Sequence, residues 1–363
     1  MEKAQKKIAV YLFDIRNRNV GLGEFEWQLG SELARRADEL EKRHGIKFTF
    51  IVPRRFIGCF GSSVRYIAFS PSSRMGLYRI RYMSHYFDIC HITHQLTRLK
   101  FMRRTRVNLM TVHDINFMYE KSGIKLEKHK RKFAKALKRA DVLTYISHFV
   151  KSDVEAHFSP RMEGSVIYNG VTDLTDVHGD ISRFGIADGY LFHISSLMPK
   201  KNVHKIVEMM RYLPDERLVV VGDLSTDYIS GIKAKIAEWG LSNVTMLEHV
   251  SNEEKAELYR HCKAFLFPSL CEGFGLPPLE AMYLGKPVFL STLTSLPEVG
   301  GANAYFFDNL NEENMALTVR EGLADFYSHP TEAAEAVRRH AATFTWSHCA
   351  DSYIQLYLKL LSR

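Results

Sequence analysis

The sequence predicts an α/β protein built from two doubly wound parallel sheets, and three observations support this. Short apolar runs alternate with helical or polar stretches, as strands and helices do in such proteins. The runs form two series, which a polar, turn-rich stretch at residues 172–188 separates. The chain has 363 residues, 46% of them hydrophobic, enough for two cores of ordinary size.

The predicted strands follow in chain order. Those of the first series are Lys7–Ile15, Lys47–Pro53, Val64–Phe69, Ile89–Thr93, Val107–His113 and Val142–Ser147. Those of the second series are Tyr190–Leu197, Leu218–Gly222, Val244–Leu247, Ala264–Leu270 and Pro287–Ser291, with a helix after each of the first four. A last helix is predicted from Phe344 to Leu361. Because ligands of doubly wound sheets bind at the carboxyl ends of strands, we expect the functional residues to follow strands, in a cleft between two domains.

The segment Cys271–Ala281 combines a strand end, a glycine-rich turn and a helix start. Pro277 and Pro278 suit the first positions of a helix, where a missing N–H costs little. Glycines before them let a ligand approach the backbone N–H groups at the positive end of the helix dipole. The segment therefore predicts a phosphate site, formed by Gly273, Phe274, Gly275 and Leu276.

Two carboxylates flank this turn. Glu272 lies at its mouth and Glu280 about one turn into the helix. Placing them beside a bare phosphate would cost energy through like-charge repulsion, whereas sugar hydroxyls can donate hydrogen bonds to both. The pattern predicts a nucleotide sugar as ligand. The alternative is that the glycines only form a turn and the glutamates lie on a solvated helix.

The same segment resembles the glutamate-x7-glutamate signature of the retaining glycosyltransferases of family 4 (glycosyltransferase group 1), which have the GT-B fold. The resemblance covers nearly the whole chain and is stronger in the C-terminal half. It implies that Glu272 contacts donor-sugar hydroxyls and that Glu280 binds the ribose. It also implies two Rossmann-like domains that face each other across a cleft. The acceptor-side domain spans 1–175, and the nucleotide-sugar-binding domain spans 185–343. A helix at 344–363 then crosses back to the N-terminal domain.

Two lysines follow the predicted strand Tyr190–Leu197 and open a helix. They resemble the family's Pro-x-Lys-Asn element, which implies that Lys201 holds the donor diphosphate and stabilises the leaving nucleotide, with Lys200 in support. Many members of the family have an arginine at the position of Ser196 in this chain. We place Ser196 among the donor-binding residues. Alternatively, both lysines only solvate a helix start.

Two motifs of the first domain complete the expected site. Gly21 and Gly23 form a glycine loop before a helix that begins near Glu24; the resemblance implies that they line the cleft, and a plain tight turn is the alternative. His113 follows the strand Val107–Val112, at the position of the family histidine that touches the donor sugar. We expect Asp114 to orient its imidazole; a purely structural histidine is the alternative.

These groups offer phosphate-binding N–H groups, a lysine and hydroxyl acceptors, but no obvious nucleophile–base pair, so we expect leaving-group stabilisation to dominate. The resemblance implies retaining transfer of a hexose-type sugar from a nucleotide-diphosphate sugar to a glycan or lipid-linked acceptor, in the synthesis of capsule, O-antigen, other lipopolysaccharide or exopolysaccharide. The sequence contains no Asp-x-Asp. We therefore expect no obligatory metal and no cofactor.

Charge is distributed unevenly along the chain. Residues 1–180 contain 32 Lys and Arg against 19 Asp and Glu, a net charge of +13, and residues 181–363 have 17 against 22, a net charge of −5. Much of the excess lies in Lys100–Arg106 and Lys121–Arg139. Such a basic surface suits anionic lipid or nucleic acid, and we expect the acceptor to be presented at an anionic membrane. A merely solvated basic face is the alternative.

Several features bear on location. We find no apolar window of the length that a membrane span needs, and the first residues lead into a strand rather than a signal-peptide core. The five cysteines are scattered and odd in number, which is typical of a reducing compartment. We expect a cytoplasmic protein, peripheral on the inner face of the cytoplasmic membrane.

Two other function classes stay open. Another GT-B enzyme, such as a nucleotide-sugar epimerase or a phosphorylase, would share the sheets and the phosphate site. A non-enzymatic membrane-binding or nucleic-acid-binding module would use the basic half but would make no use of Glu272, Glu280 and Lys201. Because the common nucleic-acid recognition motifs are missing from the sequence, we expect no nucleic-acid partner.

Overall fold

The computed structural model describes residues 5–18, 20–69, 86–96, 101–162 and 164–362. The chain divides into two compact units. Unit 1 comprises Met1–Gly170 and Thr345–Arg363, and unit 2 comprises Val171–Phe344. Lys100, within one of the basic stretches singled out above, lies outside the described residues.

Unit 1 contains a parallel sheet of seven strands. They are β1 (Lys6–Tyr11), β2 (Ile46–Pro53), β3 (Arg65–Phe69), β4 (Phe87–Ile92), β5 (Thr105–Val112), β6 (Val142–Tyr145) and β7 (Gly164–Val166). Their order across the sheet is β3-β2-β1-β4-β5-β6-β7. The winding direction reverses between β1 and β4, and ligands of doubly wound sheets bind at such a point.

Unit 2 contains a parallel sheet of six strands. They are β8 (Tyr190–Ile194), β9 (Leu218–Val221), β10 (Val244–Leu247), β11 (Cys262–Phe267), β12 (Val288–Ser291) and β13 (Tyr305–Phe307). Their order is β10-β9-β8-β11-β12-β13, so the winding reverses between β8 and β11. The two parallel sheets predicted from the sequence are confirmed.

The helices within the described residues cover these sheets. They are α1 (Gly21–Arg35), α2 (Ala37–His44), α3 (Phe117–Glu120), α4 (Gly123–Leu137), α5 (His148–Phe158), α6 (Val203–Met209), α7 (Asp227–Glu238), α8 (Asn252–His261), α9 (Leu276–Tyr283), α10 (Leu296–Gly300), α11 (Glu312–Ser328), α12 (Pro330–Ala341) and α13 (Trp346–Leu361). In unit 2, buried side chains of α6 and α11 pack on the apolar strands β8, β9 and β11 to form the core. Among the described residues, no helix has both the length and the apolar character that crossing a bilayer requires.

The last helix, α13, packs on the sheet of unit 1 through buried polar contacts. The Tyr357 hydroxyl lies 2.7 Å from His91 Nδ1, and the Tyr353 hydroxyl lies 2.9 Å from Thr111 Oγ1. His91 and Thr111 belong to β4 and β5. These satisfied polar groups fix the rotation and register of α13 on unit 1.

The domain boundaries differ from those expected. We expected a linker at 172–188 and a second domain that starts at 185, but residues from Val171 onward belong to unit 2. Polar contacts explain the difference: Arg183 forms an ion pair with Glu254 at 2.5 Å, and the Gly179 N–H donates to Glu257 Oε1 at 3.3 Å. The last helix begins at Trp346 rather than Phe344, because the Thr345 hydroxyl accepts from the His348 N–H.

Candidate functional site

The centre of the candidate site in unit 2 is an ion pair between Lys201 and Glu272. Lys201 follows β8 and Glu272 follows β11, and these strands are neighbours where the winding of the sheet reverses. The side chains are 12% and 13% exposed, so each charge depends on the other. Ser269 Oγ donates to Glu272 Oε1 at 2.6 Å and fixes the carboxylate further.

Backbone contacts hold the loop that presents Lys201. The residue ends a 3-10 turn, and Asn202 after it has a left-handed backbone, with φ of 58°. The Leu270 N–H donates to the Lys200 carbonyl at 2.7 Å, which ties this loop to the one that carries Glu272. The Lys201 ammonium lies 5.0 Å from the centre of the Phe267 ring, a cation–π contact. The lysine is therefore held in place before any ligand arrives.

His193, on β8, is fully buried and interacts electrostatically with both Lys201 and Glu272. Its Nδ1 is 2.8 Å from the Leu266 carbonyl oxygen, and its Nε2 is 2.8 Å from Ser195 Oγ. Burial, assisted by the nearby charge of Lys201, lowers its pKa to about 4. The ring is neutral at pH 7, so Nδ1 donates to the carbonyl and Nε2 accepts from the serine.

The glycine turn predicted as a phosphate site lies directly before α9. Gly275 has φ of +133°, a conformation that residues with side chains rarely adopt. Ser295 Oγ donates to the Phe274 carbonyl at 2.6 Å, and the Glu272 N–H donates to Thr294 Oγ1 at 3.1 Å. The loop after β12 thus fixes the turn that opens α9.

The residues of this turn are not equally available to a ligand. Leu276 is partly exposed, and Gly273 and Gly275 are buried. The Phe274 side chain is also buried, and its ring packs edge-on against Phe344 at 5.9 Å. Phe274 therefore contributes backbone to the turn and side chain to the core.

Glu280 lies one turn into α9 and has two partners on α8. It accepts from Lys255 Nζ at 2.8 Å and from the Tyr259 hydroxyl at 3.0 Å. Burial, followed by the negative charge of Glu280, raises the pKa of Tyr259 well above its usual value, so the hydroxyl remains a donor. Sequence reasoning missed Lys255 and Tyr259. Their spacing of four puts them on one helix face, but nothing in that spacing indicates which residue they meet.

The loop after β8 also contains Ser196, which is exposed, and Lys200, which is partly exposed. Leu197 is buried with φ of 48°. Directly against this turn lies Gly222, where an added Cβ would come within 2.3 Å of the Ser195 carbonyl oxygen. Gly222 therefore allows the loop that leads to Lys201 to pass close to the end of β9.

In unit 1, His113 follows β5 and is buried. Its Nε2 is 2.8 Å from the Thr93 carbonyl oxygen, and its ring meets Phe25 edge-on at 4.7 Å. Burial lowers its pKa to about 3, so the neutral ring donates from Nε2 and keeps Nδ1 as an acceptor. The Thr93 carbonyl thus orients the imidazole. Asp114, expected in that role, accepts the Asn116 N–H at 3.0 Å.

Gly21 and Gly23 form the first turn of α1 rather than a loop before it, which corrects our prediction. An added Cβ at Gly23 would lie 2.0 Å from the Asn17 carbonyl oxygen and 2.6 Å from that of Asp14. The loop after β1 therefore lies directly against the helix start, and Gly23 is required for that approach.

Residues 183–340, all within unit 2, match the family model for glycosyl transferases group 1. Two curated relatives are each 28% identical. One is the serotype-specific mannosyltransferase WbdA of Escherichia coli, over 49% of this chain and 23% of that protein. The other is the O-antigen chain mannosyltransferase RfbU of Salmonella typhimurium, over 59% of this chain and 60% of that protein. The chain thus spans less than two thirds of the length of these relatives.

Solved structures share the fold of the whole chain. Sucrose-phosphate synthase from Thermosynechococcus elongatus has a TM-score of 0.76 at 18% identity and covers 99% of this chain and 100% of its own. Anabaena HepE in complex with UDP-glucose has a TM-score of 0.72 at 18% identity and covers 97% of this chain and 99% of its own. The expected GT-B fold class is thereby confirmed. Residues 183–340 of unit 2 therefore resemble group 1 glycosyl transferases, and the whole chain shares the fold of these solved structures.

Proposed function

We propose that this protein is a glycosyltransferase that moves a sugar from a nucleotide-diphosphate sugar to a glycan or lipid-linked acceptor. The observation that carries the proposal is the Lys201–Glu272 ion pair at the point where the sheet of unit 2 reverses its winding. A lysine there offers charge to a diphosphate, and the carboxylate beside it offers acceptors to sugar hydroxyls.

The pair also explains how the site stays stable without a ligand. An isolated buried charge is costly, and each partner neutralises the other. A diphosphate that binds Lys201 replaces Glu272 as the partner of the ammonium group. The freed carboxylate then accepts hydrogen bonds from the sugar hydroxyls. Binding of phosphate and binding of sugar are therefore coupled through one ion pair.

Leaving-group stabilisation is the main catalytic contribution in this proposal. As the bond between the sugar and the diphosphate breaks, negative charge grows on the phosphate oxygens. Lys201 and the N–H groups at the start of α9 are already fixed, so they stabilise this charge without reorganising. Glu272 serves as a positioning group. We propose retention at the anomeric carbon, with Glu280 bound to the ribose and the neutral His113 ring accepting a hydrogen bond from a sugar hydroxyl.

The names of the relatives guide the proposed substrate. The O-antigen chain mannosyltransferase RfbU is similar in sequence to part of this chain, and the structure of HepE was solved in complex with UDP-glucose. We propose that the donor carries a hexose, with mannose as the first sugar to test, and that the product is a cell-surface polysaccharide such as O-antigen.

Location and metal requirement are part of the same proposal. The basic half of the chain suits an acceptor on the inner face of the cytoplasmic membrane. Without an Asp-x-Asp motif in the sequence, we propose that transfer proceeds without an obligatory metal, which transfer in excess EDTA checks.

Donor binding is the experiment that tests the proposal. UDP, GDP, ADP and their common sugars are titrated by calorimetry and thermal shift into the wild type and Glu280→Ala. We expect one nucleotide to bind selectively. Glu280→Ala should weaken it by about 10- to 100-fold, the worth of a hydrogen bond to a charged group.

Glu321→Ala is the matched control, since Glu321 is an exposed acid on α11. It should bind like the wild type. Absence of binding by any nucleotide, or equal affinity in the wild type and Glu280→Ala, would contradict the proposed donor site.

A further inference from the structure

Unit 1 contains a fully buried carboxyl group to which the proposed function assigns no role. Glu26 lies on α1 with no exposed surface. Its carboxyl group reaches the carboxyl edge of the sheet between β1 and β4, where the winding of unit 1 reverses. Sequence reasoning missed this residue, because a glutamate on an amphipathic helix is usually solvated.

The two carboxyl oxygens of Glu26 have different partners. Oε2 accepts the backbone N–H groups of Asp14 and Ile15, the latter at 3.1 Å. Oε1 lies 2.6 Å from Thr93 Oγ1. The same threonine oxygen lies 2.5 Å from the carbonyl oxygen of Tyr11. One hydroxyl group thus stands between two oxygen atoms.

Counting protons decides the state of the carboxyl group. The threonine hydroxyl has one proton, and a carbonyl oxygen has none to donate. If Thr93 donates to an ionised Glu26, its lone pair faces the Tyr11 carbonyl at 2.5 Å with no proton between them. If Thr93 donates to Tyr11, the proton between Thr93 and Glu26 must come from Glu26. Only the second arrangement gives every short contact a proton.

We propose that Glu26 is an uncharged carboxylic acid that acts as a positioning residue for His113 in unit 1. Its Oε1–H donates to Thr93, and its Oε2 anchors the backbone after β1. The Thr93 carbonyl in turn accepts from His113 Nε2. One chain of hydrogen bonds therefore fixes the segments after β1, β4 and β5. Its effect on catalysis rests on the proposed function, whereas the protonation state does not.

The charged groups around Glu26 agree with a neutral acid. Asp14 faces it from the loop after β1 and is itself 3.5 Å from His94 Nδ1 and 3.8 Å from Arg16 Nη2. Burial, followed by the negative charge of Asp14, raises the pKa of Glu26 well above its usual value. The contacts from Thr93 and the two backbone N–H groups act in the opposite direction and do not outweigh burial.

Infrared difference spectroscopy tests the protonation state directly. The spectrum of Glu26→Gln is subtracted from that of the wild type at pH 7. We expect the difference to contain the C=O band of a protonated carboxylic acid. Glu24→Gln is the control, because Glu24 is a partly exposed glutamate on the same helix that accepts from Gln28 at 2.7 Å. It should remove only carboxylate bands. A Glu26→Gln difference without an acid band would overturn the proposal.

Thermal unfolding across pH gives a second test, independent of activity. Glutamine reproduces the neutral acid, since its amide donates to Thr93 and its carbonyl accepts both backbone N–H groups. Folded wild type keeps a proton that the unfolded chain releases above its ordinary pKa, so the wild type loses stability as pH rises, and the variant does not. The melting temperature of Glu26→Gln relative to the wild type should therefore rise between pH 5 and pH 8. A difference that stays constant over this range would indicate a Glu26 that is already ionised, and would overturn the proposal.

Transfer assays test the positioning role. We expect Glu26→Leu to lower kcat by about 10- to 100-fold, as small misplacements of reacting groups do, with the nucleotide affinity of unit 2 unchanged. The conservative Glu26→Gln should recover most of this loss. An equal loss of kcat in Glu26→Leu and Glu26→Gln would mean that Glu26 acts through its charge or by proton transfer. That result would overturn the proposed positioning role. If the wild type transfers no sugar, the proposed function fails, and the spectroscopic and melting tests still decide the state of Glu26.

Discussion

Single residues define what unit 2 can bind, and the Lys201–Glu272 pair is the clearest case. Both side chains are largely buried, so neither charge is tolerable alone. A ligand that binds Lys201 in place of Glu272 must be negatively charged. It must also donate hydrogen bonds to the Glu272 carboxylate that it displaces. A nucleotide sugar meets both requirements, because its diphosphate and its hydroxyls are adjacent.

Replacing Lys201 separates phosphate binding from base binding. In Lys201→Met we expect the affinity for a nucleoside diphosphate to fall about 10- to 100-fold, because a charge-assisted contact is lost, whereas the affinity for the nucleoside changes little. Calorimetric titration of both ligands measures this difference.

Lys205→Met is the control, because Lys205 binds Glu208 at 2.8 Å and Glu312 at 3.0 Å. It should leave both affinities unchanged. An equal loss of nucleoside and diphosphate binding in Lys201→Met would mean that the lysine supports the fold rather than the phosphate.

Residues that follow strands were predictable, and their side-chain partners were less so. Lys201 and Glu272 were identified because parallel strands bring their carboxyl ends to one edge of a sheet. Tyr259 was missed, because it meets Glu280 through packing of one helix on another, which sequence spacing does not specify. The contact of His113 with the Thr93 carbonyl was missed for a related reason, because a backbone carbonyl has no sequence signature.

At the scale of elements, close approach of loops to strand ends shapes the site. Gly222 allows the turn that contains Ser195 and Leu197 to pass over the end of β9. That turn leads directly into the 3-10 turn that presents Lys201. A side chain at position 222 would have to displace backbone, and backbone moves at a higher energetic cost than a flexible side chain.

We predict that Gly222→Ala lowers the free energy of unfolding by about 1–3 kcal/mol, as overpacking does, and weakens nucleotide binding. The matched control is Gly231→Ala, since Gly231 lies inside α7 and an added Cβ there has no neighbour within 4 Å. That change should raise stability by about 0.5–1 kcal/mol. Urea unfolding of both variants measures whether the free energy of unfolding falls in Gly222→Ala and rises in Gly231→Ala. A neutral Gly222→Ala would show that the turn adapts without cost.

Strands of the sheet interiors were predictable, and short edge strands were not. The eleven predicted strands are all present, most with ends shifted by one to three residues. β7 and β13 were missed, because a segment of three residues is shorter than the roughly four to eight residues that a strand pattern needs. Gly21 and Gly23 were assigned to a loop because glycine disfavours helices, but close packing of the loop after β1 outweighs this preference at Gly23.

At the scale of the whole molecule, the uneven charge is the main feature outside the candidate site. Helix α4 contains exposed Lys125 and Lys128, and Ile124 beside them is 86% exposed. We propose that this basic helix helps unit 1 to bind an anionic membrane. The domain boundary was harder to predict than the charge, because the polar segment 172–188 has the composition of a linker, and its ion pair with α8 cannot be read from the sequence.

The double variant Lys125→Gln, Lys128→Gln should bind vesicles containing anionic lipid about 30-fold more weakly at low salt, since each basic residue near the surface contributes about 1 kcal/mol. Lys233→Gln, Arg339→Gln removes two exposed charges from unit 2 and should bind like the wild type. Vesicle sedimentation at several salt concentrations measures both. If the two double variants bind the vesicles equally, the basic residues of α4 are only solvated and do not contact the membrane.

Sugar transfer itself is the most direct test of the account. Wild type and Lys201→Met are incubated with a panel of nucleotide sugars and a lipid extract containing glycan acceptors, and mass spectrometry follows both donor and acceptor. We predict that the wild type releases a nucleoside diphosphate and adds one hexose mass to an acceptor, and that Lys201→Met does not. Donor that is left intact, epimerised without transfer, or consumed only when free phosphate is supplied would contradict the proposed glycosyltransferase.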